Sequence, residues 1–384
     1  MKKVGSLFLV LCLIVINMGG CNVLKATVEN GSSYFAPVAL KGKYGFINAN
    51  GTTVIKLKYQ DAGLFADNGL AAVKKDGKYG YIDTKGDMKI EPQFDKAGMF
   101  HNGYAAVSQN GCYGFIDKKG NIVVTPEYDG VGDYADNGLS VVMKNNTYGY
   151  IDNEGSVVID FKYDAAFAFQ GNGLARVSKD KKYGFIDEKG NEVIPCQYAY
   201  AEDFNKDGIA LAKTEDGKYG YINEAGDIVI KPVYQYVFGF NESGIAAVEM
   251  IDKWGYINEI GEVVIDFQYD SAFSFASNGM ALVKTKEGYT FIDEKGERIT
   301  DQYFDYASKF SGSGYAVIMK DGQYGYLDSK GNIIVEPQYK QAYDFSDMGL
   351  AIVLSEKGYG YITKDGTVAI PLKYEVVGEF EKVK

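Results

Sequence analysis

Few residues in this chain have the type and spacing that enzyme chemistry requires. His101 is the single histidine among 384 residues, so a Ser-His-Asp or Cys-His arrangement could form only around that position. It lies in a short His-Asn-Gly loop, where a solvated turn residue is the simpler interpretation. The many glycines fall at hairpin turns and not in a phosphate-binding loop. We therefore expect no catalytic residue, no cofactor and no metal site.

The acidic residues suggest two further kinds of chemistry. An Asp-x-x-Gly sequence recurs, but it lacks the alternating acidic ladder of an EF-hand calcium loop, and Asn often replaces Asp. We therefore expect these side chains to cap turns. Paired carboxylates could serve a glycosidase, yet the 51 acidic residues are spread along the chain and none stands out. The capping candidates are Asn48, Asp117, Asp152, Asp187, Asn223, Asn258, Asp293 and Asp328.

These residues all belong to one repeating unit. The phrase Tyr-Gly-Tyr-Ile-Asp at 79–83 returns in related forms every 34 to 36 residues, which indicates a repeat architecture. In each unit a short apolar strand, a turn such as Asp76-Gly77, the aromatic strand, a second turn and a third strand follow one another, which predicts a three-stranded antiparallel meander. The first aromatic of each phrase, called here the motif aromatic, is Tyr44, Tyr79, Tyr113, Tyr148, Tyr183, Tyr219, Trp254, Tyr289, Tyr324 or Tyr359.

Both faces of the predicted meander carry recurring apolar residues, so each unit must be covered by its neighbours. The chain is expected to be all-β, as a tandem array of ten units of about 35 residues. Propellers usually have four to eight blades and close by mixing strands from both termini, whereas this array begins and ends with a whole unit. The expectation is an open twisted superhelix, with a closed β-propeller-like ring as the alternative.

The start of the chain predicts export. Residues 1–20 have a basic beginning and an apolar stretch too short to span a bilayer, as in a signal peptide. The sequence Met18-Gly19-Gly20-Cys21 resembles the lipobox of bacterial lipoproteins, with Met18 where Leu is usual. The resemblance implies cleavage before Cys21 and a lipid on its sulfur.

The chain is therefore expected to have three parts: the signal peptide over residues 1–20, a flexible tether over residues 21–33, and the ten units over residues 34–384. The expected location is extracytoplasmic, lipid-anchored to the bacterial membrane in the cell envelope. A net charge of −11 repels phosphate backbones, so nucleic acid is not an expected partner.

The unit resembles the bacterial WG repeat, also called the KWG repeat. Lys253-Trp254-Gly255 matches that name literally, and the other nine copies carry Tyr in place of Trp. Thr290 replaces the glycine in the eighth unit, which we expect to be the weakest of the array. The resemblance covers about residues 34–380 and implies a β-repeat scaffold without an assigned catalytic role.

The chain has 32 tyrosines, most of them at fixed repeat positions typical of a core. The exceptions Tyr200, Tyr236, Tyr306 and Tyr343 are therefore the candidate binding surface. The expected function is a non-catalytic envelope scaffold that binds an unidentified protein or a cell-wall or surface glycan. The alternative is a glycan hydrolase with its site in one degenerate repeat.

Overall fold

The computed structural model describes residues 33–383, so the predicted signal peptide, Cys21 and most of the predicted tether lie outside the described residues. Every regular element in the described part is a β-strand, which confirms the all-β prediction. Over the same residues no helix has the length and apolar character needed to cross a membrane.

The described part of the chain forms the following strands. They are β1 (Ser33–Leu40), β2 (Lys43–Asn48), β3 (Thr53–Tyr59), β4 (Asp61–Phe65), β5 (Ala71–Lys75), β6 (Lys78–Ile82), β7 (Met88–Phe94), β8 (Lys96–Ala97), β9 (Tyr104–Gln109), β10 (Cys112–Asp117), β11 (Ile122–Tyr128), β12 (Gly130–Val131), β13 (Ser140–Lys144), β14 (Thr147–Ile151), β15 (Val157–Tyr163), β16 (Ala165–Ala166), β17 (Ala175–Lys179), β18 (Lys182–Ile186), β19 (Glu192–Tyr198), β20 (Tyr200–Ala201), β21 (Ile209–Lys213), β22 (Tyr219–Asn223), β23 (Ile228–Tyr234), β24 (Tyr236–Val237), β25 (Ile245–Met250), β26 (Lys253–Asn258), β27 (Val263–Tyr269), β28 (Ser271–Ala272), β29 (Met280–Thr285), β30 (Gly288–Asp293), β31 (Tyr306–Ala307), β32 (Tyr315–Lys320), β33 (Gln323–Asp328), β34 (Ile333–Tyr339), β35 (Gln341–Phe345), β36 (Leu350–Ser355), β37 (Gly358–Thr363), β38 (Val368–Tyr374), β39 (Val376–Val377) and β40 (Glu381–Val383).

These strands form ten separate antiparallel sheets, most of them with four strands and not the predicted three. The additional strand is short and comes from the connector, whose backbone pairs with the first long strand of the next unit; Ala97, for example, pairs with Val107. Pairing satisfies backbone groups that the connector would otherwise leave open. Sheet 1 contains β1–β3 with β39 and β40, and sheets 2 to 10 contain β4–β7, β8–β11, β12–β15, β16–β19, β20–β23, β24–β27, β28–β30, β31–β34 and β35–β38.

The sheets close into a ring, so the expected open superhelix is wrong and the alternative, a ten-bladed β-propeller, is confirmed. Strand β1 pairs with β39, where Val38 lies opposite Val377, and also with β40. The first and last units each contain their three long strands, which is why the sequence suggested that the array begins and ends with a whole unit. The fourth strand of sheet 1 comes from the C-terminal end, so sheet 1 mixes strands from both ends as propellers do.

The seam between sheets 10 and 1 repeats the contact made by other neighbouring sheets. A Cβ added to Gly51 would lie 3.3 Å from the side chain of Ile370, and one added to Gly86 would lie 3.3 Å from that of Ile55. The Glu375 carboxylate also accepts hydrogen bonds from the Lys41 and Gly42 N–H groups, each at 3.0 Å. One cluster of buried apolar residues spans the seam: Ala36, Val38, Ile47, Tyr361, Ile370 and Tyr374.

The predicted turns are present. Asp76 and Gly77 have φ values of 51° and 84°, as a type I′ turn requires, although the equivalent Asp216 keeps a negative φ in a different loop. The Asp-x-x-Gly side chains cap their turns as expected: Asp117 Oδ1, for instance, accepts the N–H groups of Lys119 at 2.8 Å and Asn121 at 2.9 Å.

The glycine after each motif aromatic is required by close packing of the third strand. A Cβ added to Gly80 would lie 2.3 Å from the Ile90 carbonyl oxygen, which is closer than real Cβ atoms come. In the eighth unit Thr290 occupies this position, and sheet 8 has lost its third strand. Only isolated bridges remain there, from Tyr289 to Phe304 and from Ile292 to Arg298.

Candidate binding face

Three repeat positions meet along one face of the ring. The first residue of each short strand is called here the edge residue, and the residue two places later is called the flank residue. The floor residue is the residue of the following long strand that lies opposite the flank residue; in most sheets its carbonyl accepts the flank residue's N–H. The edge residues of sheets 2 to 10 and then 1 are Asp61, Lys96, Gly130, Ala165, Tyr200, Tyr236, Ser271, Tyr306, Gln341 and Val376. The flank residues are Gly63, Gly98, Gly132, Phe167, Glu202, Phe238, Phe273, Ser308, Tyr343 and Gly378. The floor residues are Ala72, Ala106, Val141, Arg176, Leu211, Ala247, Leu282, Val317, Ile352 and Pro37.

Edge residues lie between successive motif aromatics and form a row with them. The Tyr236 ring centroid is 5.3 Å from that of Tyr219 in sheet 6 and 5.8 Å from that of Trp254 in its own sheet 7. Tyr306 bridges Tyr289 and Tyr324 in the same way, at 6.2 and 6.3 Å. These separations are those of favourable aromatic pairs. We call this set of motif aromatics and edge residues the aromatic row.

The row stays partly open to solvent. Tyr236 and Tyr306 are both 44% exposed, although Tyr236 contacts three other rings and Tyr306 contacts two. Their motif-aromatic neighbours are half-buried or, for Tyr219 and Trp254, 9% exposed. The row therefore presents ring surface and hydroxyl groups from a rigid base.

In sheets 2, 3 and 10 the polar edge residue hydrogen-bonds the motif aromatic of its own sheet. The Tyr79 hydroxyl donates to Asp61 Oδ2 at 2.6 Å, and burial together with this carboxylate raises the pKa of Tyr79 to about 12. Tyr359 donates to Gln341 at 2.8 Å. Polar edge residues thus keep contact with the motif aromatic in these sheets, and the raised pKa values of Tyr79 and Tyr359 keep those two hydroxyls protonated at physiological pH.

The four predicted surface tyrosines do not form one patch. Tyr200, Tyr236 and Tyr306 are edge residues and lie in the row, with Tyr200 half-buried against Tyr183 at 5.6 Å. Tyr343 is a flank residue, 49% exposed, at the junction of sheets 9 and 10. The sequence interpretation missed that the motif aromatics share the same face, because their recurrence suggested a purely internal role.

Arg176 is a further feature that the sequence interpretation did not single out. It is 9% exposed at a floor position that is apolar in every other sheet, and its guanidinium lies 3.8 Å from the Phe167 ring centroid. Its Nε donates to Asp203 Oδ1 at 3.1 Å, and its Nη1 donates to the Ala201 carbonyl. Arg176 therefore fills the space between sheets 5 and 6 and joins them. A charged residue inside an otherwise apolar repeat column is the signal that could have identified it.

Two sheet junctions remain open as larger grooves. The groove between sheets 4 and 5, called here the open groove, has a volume of about 670 Å³ and has His101 on its lining. The groove at the seam, called the seam groove, has a volume of about 490 Å³. It is lined by Tyr343 and by four acidic residues, Asp344, Asp347, Glu379 and Glu381. Desolvation and the negative charge of Glu379 raise the pKa of both Asp344 and Glu381.

His101 is exposed and lies in a loop on the lining of the open groove. Over residues 33–383, no three His, Cys, Asp or Glu side chains are grouped in a way that could hold a metal ion.

A closed ring of ten small sheets, joined through a repeated aromatic face, defines a β-propeller built from tandem units. The family model described as "WG containing repeat" matches this chain ten times, at residues 44–79, 79–111, 113–148, 148–183, 183–219, 219–254, 254–289, 289–324, 324–357 and 359–382. The chain therefore belongs to the WG-repeat family, as its sequence predicted.

Among curated proteins, none matches this chain. Solved structures with a similar arrangement include a eukaryotic initiation factor, with 12% identity, 78% of this chain and 94% of that one covered, and a TM-score of 0.49. A dihydro-haem d1 dehydrogenase is 12% identical, with 69% of this chain and 72% of that one covered and a TM-score of 0.37. The extracellular domain of a putative one-component system from B. thetaiotaomicron is 9% identical, with 90% of this chain and 64% of that one covered and a TM-score of 0.32. All three scores are below 0.5, so these likenesses carry no argument.

Proposed function

We propose that this protein is a lipid-anchored, non-catalytic scaffold of the cell envelope that binds a glycan along the aromatic row. The observation that carries the proposal is the position of Tyr236 and Tyr306. Each is almost half exposed yet fixed between two other rings, so little conformational entropy is lost when a ligand covers it.

The chemistry of the row favours a carbohydrate over a protein partner. Flat ring surfaces match the apolar C–H face of a sugar ring, and neighbouring phenol hydroxyls can bond sugar hydroxyls. The row also repeats from sheet to sheet, as the residues of a glycan chain repeat. A protein partner would more commonly cover a larger, continuous apolar patch.

Retention on insoluble polymers tests the proposal. The purified protein should sediment with peptidoglycan or chitin, and the double variant Tyr236→Ala/Tyr306→Ala should lose at least tenfold in affinity. Ile228→Ala is the matched control, because Ile228 is 58% exposed but lies on the opposite edge strand of sheet 6. Equal retention of the double variant and the control would refute the glycan face. Envelope protein captured in place of polymer would indicate a protein partner.

The anchor is a separate part of the proposal and rests on the sequence around Cys21. Cys21→Ala should release the protein from the membrane fraction and abolish labelling by a radioactive fatty acid. A Cys21→Ala protein that remains labelled and membrane-bound would contradict the lipoprotein assignment. Binding to polymer is expected to be unchanged in this variant, since the row lies within the ring.

The seam groove favours one second candidate, a glycan hydrolase. Asp344 and Glu381 have raised pKa values in a groove also lined by Tyr343, which is the environment of a general acid. If the protein hydrolyses glycans, it should release reducing ends from the retained polymer, and Glu381→Gln should stop that release. A binding scaffold releases none, with either Glu or Gln at that position.

A further inference from the structure

The open groove lies beside sheet 4, the one sheet of the described part that has glycine at both the edge and the flank position. Its edge residue is Gly130 and its flank residue is Gly132, whereas sheet 7 has Tyr236 and Phe238 there. In sheet 7 these rings pack on Trp254, with the Phe238 centroid 5.4 Å from it. Two glycines therefore convert a filled junction into a cavity of about 670 Å³.

The floor of the open groove is accessible apolar surface. Val141 is half-buried, whereas the floor residues Leu211 and Leu282 of sheets 6 and 8 are 4% and 3% exposed. Met143 and the motif aromatic Tyr148 line the groove beside Val141 and are also half-buried. The protein thus leaves apolar side chains more accessible at this junction than at the floors of sheets 6 and 8.

The far wall is an aromatic ring fixed from behind. Phe167 of sheet 5 lines the open groove, and the Arg176 guanidinium covers part of this ring at 3.8 Å from its centroid. Arg176 is itself held by Asp203 and by the Ala201 carbonyl. Phe167 is therefore a pre-oriented stacking surface and not a freely rotating side chain.

The rim supplies hydrogen-bonding groups and negative charge. Asp133, Asp136 and Gln170 are exposed at the mouth, and the lining contains no Lys or Arg. An anionic ligand would therefore be repelled, while carboxylate and amide groups can bond neighbouring sugar hydroxyls. The volume lies within the range of small-ligand sites.

We propose that the open groove binds the end of a neutral glycan, one or two sugar residues long, with a sugar ring against Phe167 or Tyr148. This site rests on the proposed glycan-binding function and gives it specificity. The aromatic row would hold the polymer along its length, whereas the open groove would recognise a terminus.

Filling the groove tests the proposal with little risk to the fold. A Cβ added to Gly132 would lie 3.8 Å from Val141, one added to Gly130 would lie 3.7 Å from Met143, and neither glycine has a positive φ. Gly132→Phe and Gly130→Tyr install residues that sheet 7 carries at these positions. Gly98→Phe, at the flank position of sheet 3, is the matched control.

Binding of N,N′-diacetylchitobiose and cellobiose is measured by isothermal titration calorimetry and by saturation-transfer NMR. At least one disaccharide should bind, and each groove-filling variant should weaken that binding at least tenfold while Gly98→Phe leaves it within twofold. An acidic disaccharide carrying a uronic acid should bind at least tenfold more weakly. Unchanged binding in both groove-filling variants, or preference for the acidic disaccharide, overturns the proposal.

The outcomes separate this site from the function on which it rests. If neither disaccharide binds, but polymer is retained and Tyr236→Ala/Tyr306→Ala abolishes that retention, the open groove is not a glycan site and the scaffold function stands. If neither disaccharide nor polymer binds, both proposals fail.

Discussion

Sheets 7 and 8 are neighbours in the ring, and their repeat units have the same number of residues. Only sheet 7 has its third long strand, β27; sheet 8 ends at its second long strand, β30. In sheet 7 the Gly255 backbone lies against β27, and a Cβ added there would be 2.7 Å from the Ile265 carbonyl oxygen. In sheet 8 the same position is Thr290, fully buried, with its hydroxyl donating to the Gln302 carbonyl at 3.1 Å. One side chain thus accompanies the loss of a strand, while the two inner strands and the ring persist.

This comparison shows that the two parts of the motif have different roles. The glycine permits the third strand to pack, and the aromatic contributes to the core and to the aromatic row. Sheet 8 retains Tyr289 in the aromatic row although its outer strand is gone. A unit can therefore lose sheet structure and still contribute to the face.

The largest expected effect comes from imposing the sheet 8 residue on sheet 7. Gly255→Thr should lower the free energy of unfolding by about 3 kcal/mol or more, because the new Cβ overlaps the Ile265 carbonyl. Urea unfolding measures the change. Gly239→Thr is the control, since nothing lies within 4 Å of a Cβ added to Gly239 in the connector of the same sheet. If both variants are equally stable, close packing does not explain the glycine.

The two arginines test whether the polar residues of sheet 8 are themselves costly. Arg176→Ala should destabilise by about 2 kcal/mol, because it removes a buried guanidinium and leaves the partly exposed Asp203 without its partner. Arg298→Ala in sheet 8 should cost less than about 0.5 kcal/mol, since the Arg298 side chain is 40% exposed and its hydrogen bonds to Asp301 and the Tyr303 hydroxyl lie at the exposed surface. A larger loss of unfolding free energy in Arg298→Ala would mean that the Arg298 contacts stabilise sheet 8 in place of its missing third long strand.

Repair of sheet 8 should have a smaller effect in the opposite direction. Thr290→Gly combined with Thr300→Ile should raise the free energy of unfolding by about 1 to 2 kcal/mol. The glycine restores space for the third long strand, and the isoleucine gives that strand an apolar side chain to bury. Hydrogen exchange around residues 289–305 should be the fastest among second and third strands before repair and should slow after it. Unchanged stability together with loss of glycan binding would instead make sheet 8 a functional site.

The smallest effect concerns pH and the seam. Because the pKa of Asp344 is raised in the folded state, the folded protein binds more protons than the unfolded chain from pH 3.8, the ordinary value, up to the raised pKa. Stability contributed by this group therefore falls as pH rises through that interval. Asp344→Asn should flatten this part of the stability profile and stabilise the protein by tenths of a kcal/mol at neutral pH. A steeper acid-side profile in the variant would contradict the assigned direction.

Much of the fold could be predicted because it depends on local signals repeated ten times. The type I′ turn at Asp76-Gly77 and the Asp117 cap follow from residue chemistry within a few positions. The closure of the ring could not be predicted, because it depends on the curvature accumulated over ten junctions and on short strands such as Val376–Val377 that have no periodic signal.

The candidate face was only partly predictable for a related reason. Tyr236 and Tyr306 stood out by breaking the repeat, and they do lie in the aromatic row. The open groove is made by the absence of side chains at Gly130 and Gly132, and glycine in a turn-rich chain carries no signal of a cavity. Only the packing of adjacent sheets shows what those positions hold elsewhere.

Trp254 gives the most direct measurement of the central claim that the aromatic row binds glycan. It is the only tryptophan in the sequence, and its ring lies 5.8 Å from that of the exposed Tyr236. Soluble fragments of the retained polymer should change Trp254 emission in a saturable way, with the midpoint found by calorimetry, and Tyr236→Ala should weaken the response at least tenfold. Binding by calorimetry with constant Trp254 emission and unchanged affinity in Tyr236→Ala would show that the glycan binds elsewhere.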